Sequence, residues 1–221
     1  SAVSQTILRN NQAGTVKQKL KNTTNPTMAP ISKTLALGAG CYWGTEKYLV
    51  KDFQKKFPGS IANVSAGFMS PDAKAPANPS YRQVCTGSTG HVEVLNVKLT
   101  NPEKHYEELI KFFFMFHDPT TKNRQGNDVG TQYASVLFYS DDQQKAIAAR
   151  VKGDLQEAVT SGKGTSYQKS TVETEIVPYT VFYPAHEEHQ QYLMKNPSGY
   201  CNHRMRFTEW PATSGGGRSE L

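Results

Sequence analysis

The feature that most constrains this chain is the alternation of two hydrophobic periods between residues 34 and 195. Short apolar runs of strand character, at 34–39, 61–68, 91–99, 133–139 and 176–183, are separated by stretches whose apolar residues recur every three or four positions. The stretch after Cys41 carries Leu49, Val50, Phe53 and Phe57 and stops at Pro58-Gly59. The stretch opened by Asn101-Pro102-Glu103 carries Tyr106, Leu109, Ile110, Phe113 and Phe114 and stops at His117-Asp118-Pro119. A capping amide, a first-position proline and an early acid make that second start a strong helix signal. Asp141 and Asp142 cap another helix reaching about Val159, and 185–195 reads as a short one. Each amphipathic helix must bury one stripe, and a sheet face is the surface available to it. The expectation is a two-layer α+β sandwich, a mixed sheet with helices packed on it, followed by a long irregular C-terminal segment.

Two polar stretches interrupt this pattern, "MSPDAKAPANPSY" (69–81) and "TTKNRQGNDVGTQ" (120–132), and both are expected to be loops. Residues 1–32 are rich in Ser, Thr, Asn, Gln and Lys, and are expected to form a disordered or targeting extension. Residues 33–201 are then expected to form one domain and 202–221 a tail. The net charge of +6 suggests nucleic acid at first sight. Yet Arg9, Lys17, Lys19, Lys21 and Lys33 stand in the first 33 residues without a single acid, which leaves the remainder close to neutral. Neither a nucleic-acid nor a membrane partner is expected, since no run of about 18 apolar residues occurs. Three cysteines, Cys41, Cys85 and Cys201, are too few for a disulfide scaffold and suggest one functional thiol pair in a reducing compartment. The address expected is cytoplasmic, with a mitochondrial or plastid form permitted by the acid-free start.

Cys41 lies in "LGAGCYWG", where a strand gives way to a helix. A thiol there meets unpaired backbone N–H groups and the positive end of the helix dipole, both of which favour the thiolate. Gly38 and Gly40 leave it open, and Tyr42 and Trp43 offer apolar walls. The competing readings are a small buried hydrophobe, a dinucleotide loop whose glycine spacing is off by one, and a papain-like nucleophile paired with His186. The run His186-Glu187-Glu188-His189 lacks metal-ligand spacing and reads as a solvated helix face. Cys85 reads as a buried structural thiol.

Four stretches taken together, "GCYWG" (40–44), "NPSYRQVCTGSTGHVEV" (78–94), "HDPTTKNRQGNDVGTQY" (117–133) and "FYPAHEEHQQYLMKNPSGYC" (182–201), resemble methionine sulfoxide reductase A in order and spacing over about residues 33–201. That resemblance implies a ferredoxin-like core and reduction of methionine S-sulfoxide, free or in proteins, without a cofactor or metal. It implies Cys41 as the nucleophile, Glu93 as the general acid, and Tyr81 and Tyr133 as donors to the sulfoxide oxygen. Asp128 orients the polar side of the pocket, and Tyr42 and Trp43 hold the S-methyl group. Cys201 is then the resolving thiol and thioredoxin the reductant of a monomeric enzyme. Tyr42 stands where the family commonly has Phe, and no third cysteine follows Cys201, so a two-thiol cycle is expected. The sequence His203-Arg204-Met205-Arg206 after it leaves the mobility of this tail open.

Overall fold

The computed structural model describes residues 29–163 and 166–211. Of the extension expected at 1–32, residues 1–28 lie outside the described residues, as does the end of the tail at 212–221, while Ser32 donates its N–H to Asp141 Oδ2 at 2.6 Å. Strand β1 (Thr34–Ala39) leads into α1 (Tyr42–Lys47), which continues through a π-helical turn (Tyr48–Phe53) into α2 (Gln54–Lys56). Then come β2 (Ile61–Met69), α3 (Tyr81–Cys85), β3 (Val92–Leu99) and α4 (Pro102–Phe116). A small hairpin of β4 (Arg124–Gln125) and β5 (Asp128–Val129) and a 3-10 turn (Thr131–Tyr133) precede β6 (Ser135–Tyr139). The chain continues with α5 (Asp142–Thr160), β7 (Glu175–Pro178), β8 (Tyr183–Pro184), a second 3-10 turn (Glu187–His189) and α6 (Tyr192–Lys195).

The strands form one sheet in the order β7-β6-β1-β3-β2-β8. Within it, β6-β1-β3-β2 pair antiparallel, and each of β1 and β3 is followed by a helical crossover. This is the split β-α-β of a ferredoxin-like core. Strand β7 adds in parallel beside β6, which makes the sheet mixed. Period-two side chains sort the core: Leu35, Leu37, Leu95, Val97, Leu99 and Leu137 face the helices. Helix α4 supplies Tyr106, Leu109, Ile110 and the block from Phe112 to Phe116, all buried. Among the described residues no helix is long and apolar enough to cross a membrane.

Three expectations need correction. The stretch 176–183 is not one strand. After a last ladder bond beyond Pro178, from the Tyr179 N–H to the Tyr139 carbonyl at 2.7 Å, the chain leaves β6 and crosses beneath the sheet to pair with β2 on the opposite edge as β8. On the way Val177, Tyr179 and Phe182 cover Ala36, Met69, Val92, Val94, Val136 and Phe138, so the sheet is buried on both faces. The stretch 185–195 is not one helix, because tertiary hydrogen bonds claim its middle. Gln190 accepts from the Ala66 N–H through Oε1 and donates to the Ala66 carbonyl through Nε2, 2.8 Å each, at the end of the β8 pairing. Gln191, at φ 55°, gives its N–H to Glu46 Oε2 at 2.7 Å. Finally, the loop at 69–81 ends in a helix, α3. Ser80 caps it, accepting from the Gln83 N–H while the Gln83 side chain accepts from Ser80 N–H, a reciprocal box written in Ser80-Tyr81-Arg82-Gln83.

Candidate active site

The site forms where β1 ends. Gly40 turns the chain at φ 85°, where a side chain would strain the backbone and run into Gln125. Cys41 follows in extended conformation as the N-cap of α1, only partly covered. The Trp43 and Gly44 N–H groups favour the sulfur's anion, as the helix-start argument expects, although Cys41 makes no side-chain capping hydrogen bond. They do not prevail. Desolvation, then the field of Glu93, push the thiol well above its ordinary value. Burial here opposes the thiolate that the start of the helix favours.

Glu93 shows why. Leu95 pairs with Leu37, so Glu93 comes two residues beyond, towards the end of β1, on the sheet face that Leu95 and Val97 present to the helices. It is 2% exposed, and its Oε2 accepts from the N–H of Tyr42, the residue after Cys41, at 3.1 Å. Burial, and to a smaller extent Asp128, raise its carboxyl to about 8, against the pull of the Tyr42 N–H. At neutral pH this is an uncharged acid with a proton to give.

The other predicted residues surround this pair. Tyr81 opens α3 and Tyr133 closes the 3-10 turn before β6. Desolvation raises both phenols, with Glu93 and Cys41 among the further causes, so both hold their protons in this environment. The turn is tied to α3 by Gln132, whose Nε2 donates to the Cys85 carbonyl at 3.2 Å, and by Thr131, whose hydroxyl donates to the Gly87 carbonyl at 3.0 Å. Cys85 is only partly buried, on the same short helix as Tyr81, rather than the buried structural thiol expected. Trp43 stacks on Tyr192 at 3.8 Å between centroids, and Tyr42 packs behind it against Phe68. The Tyr42 hydroxyl is buried with no hydrogen-bond partner among the described residues.

His189 corrects the solvated-face reading of 186–189. It is buried, lies parallel to Trp43 at 5.8 Å and packs against Tyr81 at 4.6 Å. His186, Glu187 and Glu188 remain exposed. The charges around His189 hid its role, and only the broken helix turns it inward.

Asp128 links the site to the segment bearing Cys201. Its Oδ1 accepts from the Tyr200 hydroxyl at 3.1 Å and its Oδ2 from Asn202 Nδ2 at 2.7 Å. Cys201 stands between those two anchors as a free thiol in irregular backbone. The residues after it are held in place. Arg204 and Arg206 N–H donate to the Phe116 and Met115 carbonyls at 3.2 and 2.7 Å, and buried Arg206 pairs with buried Asp118 at 3.5 Å. His203 is buried beside Tyr48 and Phe116. The roles of Tyr200, Asn202, His203, His189 and Tyr192 were not legible in the sequence, although the first two flank Cys201 directly and His203 follows them.

The arrangement combines an uncharged acid, two protonated phenols, a thiol and an aromatic wall, a set able to protonate a polar oxygen while sulfur attacks its neighbour. The family model described as peptide methionine sulfoxide reductase matches residues 33–213. Among curated relatives, peptide methionine sulfoxide reductase MsrA 1 of Caulobacter vibrioides is 44% identical over 76% of this chain and 71% of its own length. A probable peptide methionine sulfoxide reductase of Schizosaccharomyces pombe is 37% identical over 79% and 95%. Among solved structures, reduced Mxr1 of Saccharomyces cerevisiae superposes with a TM-score of 0.66 at 37% identity, covering 80% of this chain and 93% of that one. Methionine sulfoxide reductase A of Corynebacterium diphtheriae gives 0.59 at 33%, covering 78% and 79%. A match running from β1 past Cys201, with both sulfur-bearing segments inside it, makes this chain an oxidoreductase of the peptide methionine sulfoxide reductase family.

Proposed function

We propose that the chain reduces the S epimer of methionine sulfoxide, free and in proteins, with Cys41 as nucleophile and Glu93 as acid. The observation that carries this reading is a buried carboxyl, raised to about 8, that accepts from the N–H of the residue following Cys41. A sulfoxide oxygen leaves only when protonated, and an acid that keeps its proton at pH 7 supplies that step. The Tyr81 and Tyr133 hydroxyls bind the same oxygen, and Trp43, backed by Tyr42, takes the S-methyl group. Glu93 gives its proton to the oxygen and recovers one from the Cys41 thiol as the sulfur attacks. The oxygen passes to Cys41, leaving methionine and a sulfenic acid, so Glu93 ends unchanged. The Cys201 thiol then displaces that hydroxyl as water, forming the Cys41–Cys201 disulfide. An external dithiol, here thioredoxin, takes the oxidising equivalents and restores both thiols. The enzyme acts as a monomer, without a cofactor, nucleic acid or membrane.

Resolved R and S sulfoxides incubated with the enzyme and dithiothreitol test the reading. Release of methionine from the S form alone is expected, and consumption of the R form refutes the epimer assignment. Cys201→Ser is expected to release about one methionine per enzyme and then stall with thioredoxin. Repeated thioredoxin-driven turnover by that variant would move the resolving role elsewhere, with Cys85 the next candidate.

A further inference from the structure

His203 stands two residues after Cys201, and nothing in the reaction above uses it. Its Nε2 lies 2.6 Å from the Ala39 carbonyl oxygen in a buried contact. A carbonyl can only accept, so Nε2 carries the hydrogen and Nδ1 presents a lone pair. That lone pair faces the Cys201 sulfur at 4.0 Å, the long end of a hydrogen bond to sulfur. The imidazole therefore joins the resolving thiol to the turn that carries Cys41. The fit reaches into α1: a side chain at Gly44 would collide with the His203 ring, so the bare helix position leaves the imidazole its place. Tyr48 closes the other side, its hydroxyl donating to the His203 carbonyl at 3.4 Å and its ring lying 6.3 Å away.

Resting on the assignment of Cys201 as resolving thiol, we propose that His203 is a further catalytic residue: its Nδ1 accepts the Cys201 proton as the Cys41–Cys201 bond forms. In that step the S–O bond of the Cys41 sulfenic acid breaks and an S–S bond replaces it. The Cys201 sulfur is oxidised and the Cys41 sulfur reduced. The proton leaving Cys201 passes through Nδ1 to the departing hydroxyl, which leaves as water, so His203 is neutral before and after. The surroundings suit this role. Burial, with Arg206 and Lys47 as the nearby cations, pushes the imidazole down to about 4 against the pull of the Ala39 carbonyl. The other titratable neighbours are neutral Tyr48, the Cys201 thiol, and His117, itself held down to about 3. The base thus keeps its lone pair throughout the physiological range.

The test is the pH profile of disulfide formation, timed in single turnover with one equivalent of S-sulfoxide and acid quench, for the wild type and for His203→Asn. With a neutral base in place, the wild-type rate constant stays nearly level from pH 5.5 to 8. Without it only the Cys201 thiolate reacts, so the variant should rise about tenfold per pH unit. It should lag the wild type by about 10- to 100-fold at pH 7, with the gap closing as pH rises. Release of the first methionine should be unchanged. A variant with a level profile, or slower by the same factor at every pH, overturns the proposal. Should His203→Asn lose the first methionine as well, nitrogen NMR of wild-type imidazole decides, a neutral Nε2–H form at pH 7 being expected and an Nδ1–H form or a cation overturning it. If Cys201→Ser cycles with thioredoxin, the resolving assignment fails, and that outcome is separate from the His203 profile.

Discussion

Replacing Glu93 by Gln isolates the largest electrostatic cost in the site. The folded protein holds the Glu93 proton up to about pH 8, whereas the unfolded chain releases it near the ordinary value of 4.5. Across that window the folded state binds more protons than the unfolded one, so stability falls as pH rises, at about 1.4 kcal/mol per pH unit. Below it both states are protonated, above it both are ionised, and the curve is level at either end. Between pH 5 and 7.5 the linkage takes roughly 3 kcal/mol from the wild type, an upper bound, because local relaxation softens a buried charge. Gln keeps a carbonyl oxygen for the Tyr42 N–H and does not titrate, so the variant lacks this slope. Other titrating groups are common to both proteins and cancel to first order. Urea unfolding of both at pH 5, 6, 7 and 7.5 should show the variant gaining on the wild type at each step. A gap constant across the series would refute the claim that Glu93 is buried as a neutral acid. The same variant should lose most of its reductase activity. Yet its Cys41 should react faster with iodoacetamide at pH 8, since the Glu93 field that raises the thiol is gone.

Tyr42→Phe removes a hydroxyl that is buried with no partner among the described residues, and keeps the ring that packs on Phe68 and Trp43. It should stabilise the fold by about 1–2 kcal/mol, a rise of a few degrees in Tm by calorimetry; a lower Tm would show that the hydroxyl is satisfied. Ser80→Ala removes the cap of the helix that carries Tyr81. A local cost of about 1 kcal/mol should raise KM for the sulfoxide several-fold with little change in Tm, and an unchanged KM would argue against a substrate contact by Tyr81.

Much of the fold could be read locally. Helix α4 starts where Asn101 and Pro102 say it should, with the Asn101 side chain accepting from the Lys104 N–H at 3.2 Å. Strand β1 and the caps of α5 follow the same logic, because their signals lie within a few residues of one another. The capping box of α3 is equally local, although a Pro-rich stretch with loop character runs directly into it. The stretch 176–183 is different in kind. Its period marks an extended, half-buried chain, and nothing local says whether that chain stays in one ladder or crosses a sheet face. Likewise 185–195 has a helical pattern, but the bonds that break it go to Ala66 and Glu46, more than a hundred residues away.

The site divides in the same way. Sequence by itself determined the cysteine at the strand–helix junction and the alternating core that holds it, which are encoded by residue type, spacing and short-range capping; the acid and the two phenols came only through the motif resemblance. Tertiary structure alone decided how the groups are tuned and what joins them: burial opposes the Cys41 thiolate, His189 turns into the aromatic wall, and His203 links Cys201 to Ala39. Desolvation and the approach of segments distant in sequence exist only once the chain is packed, so no local pattern can carry them.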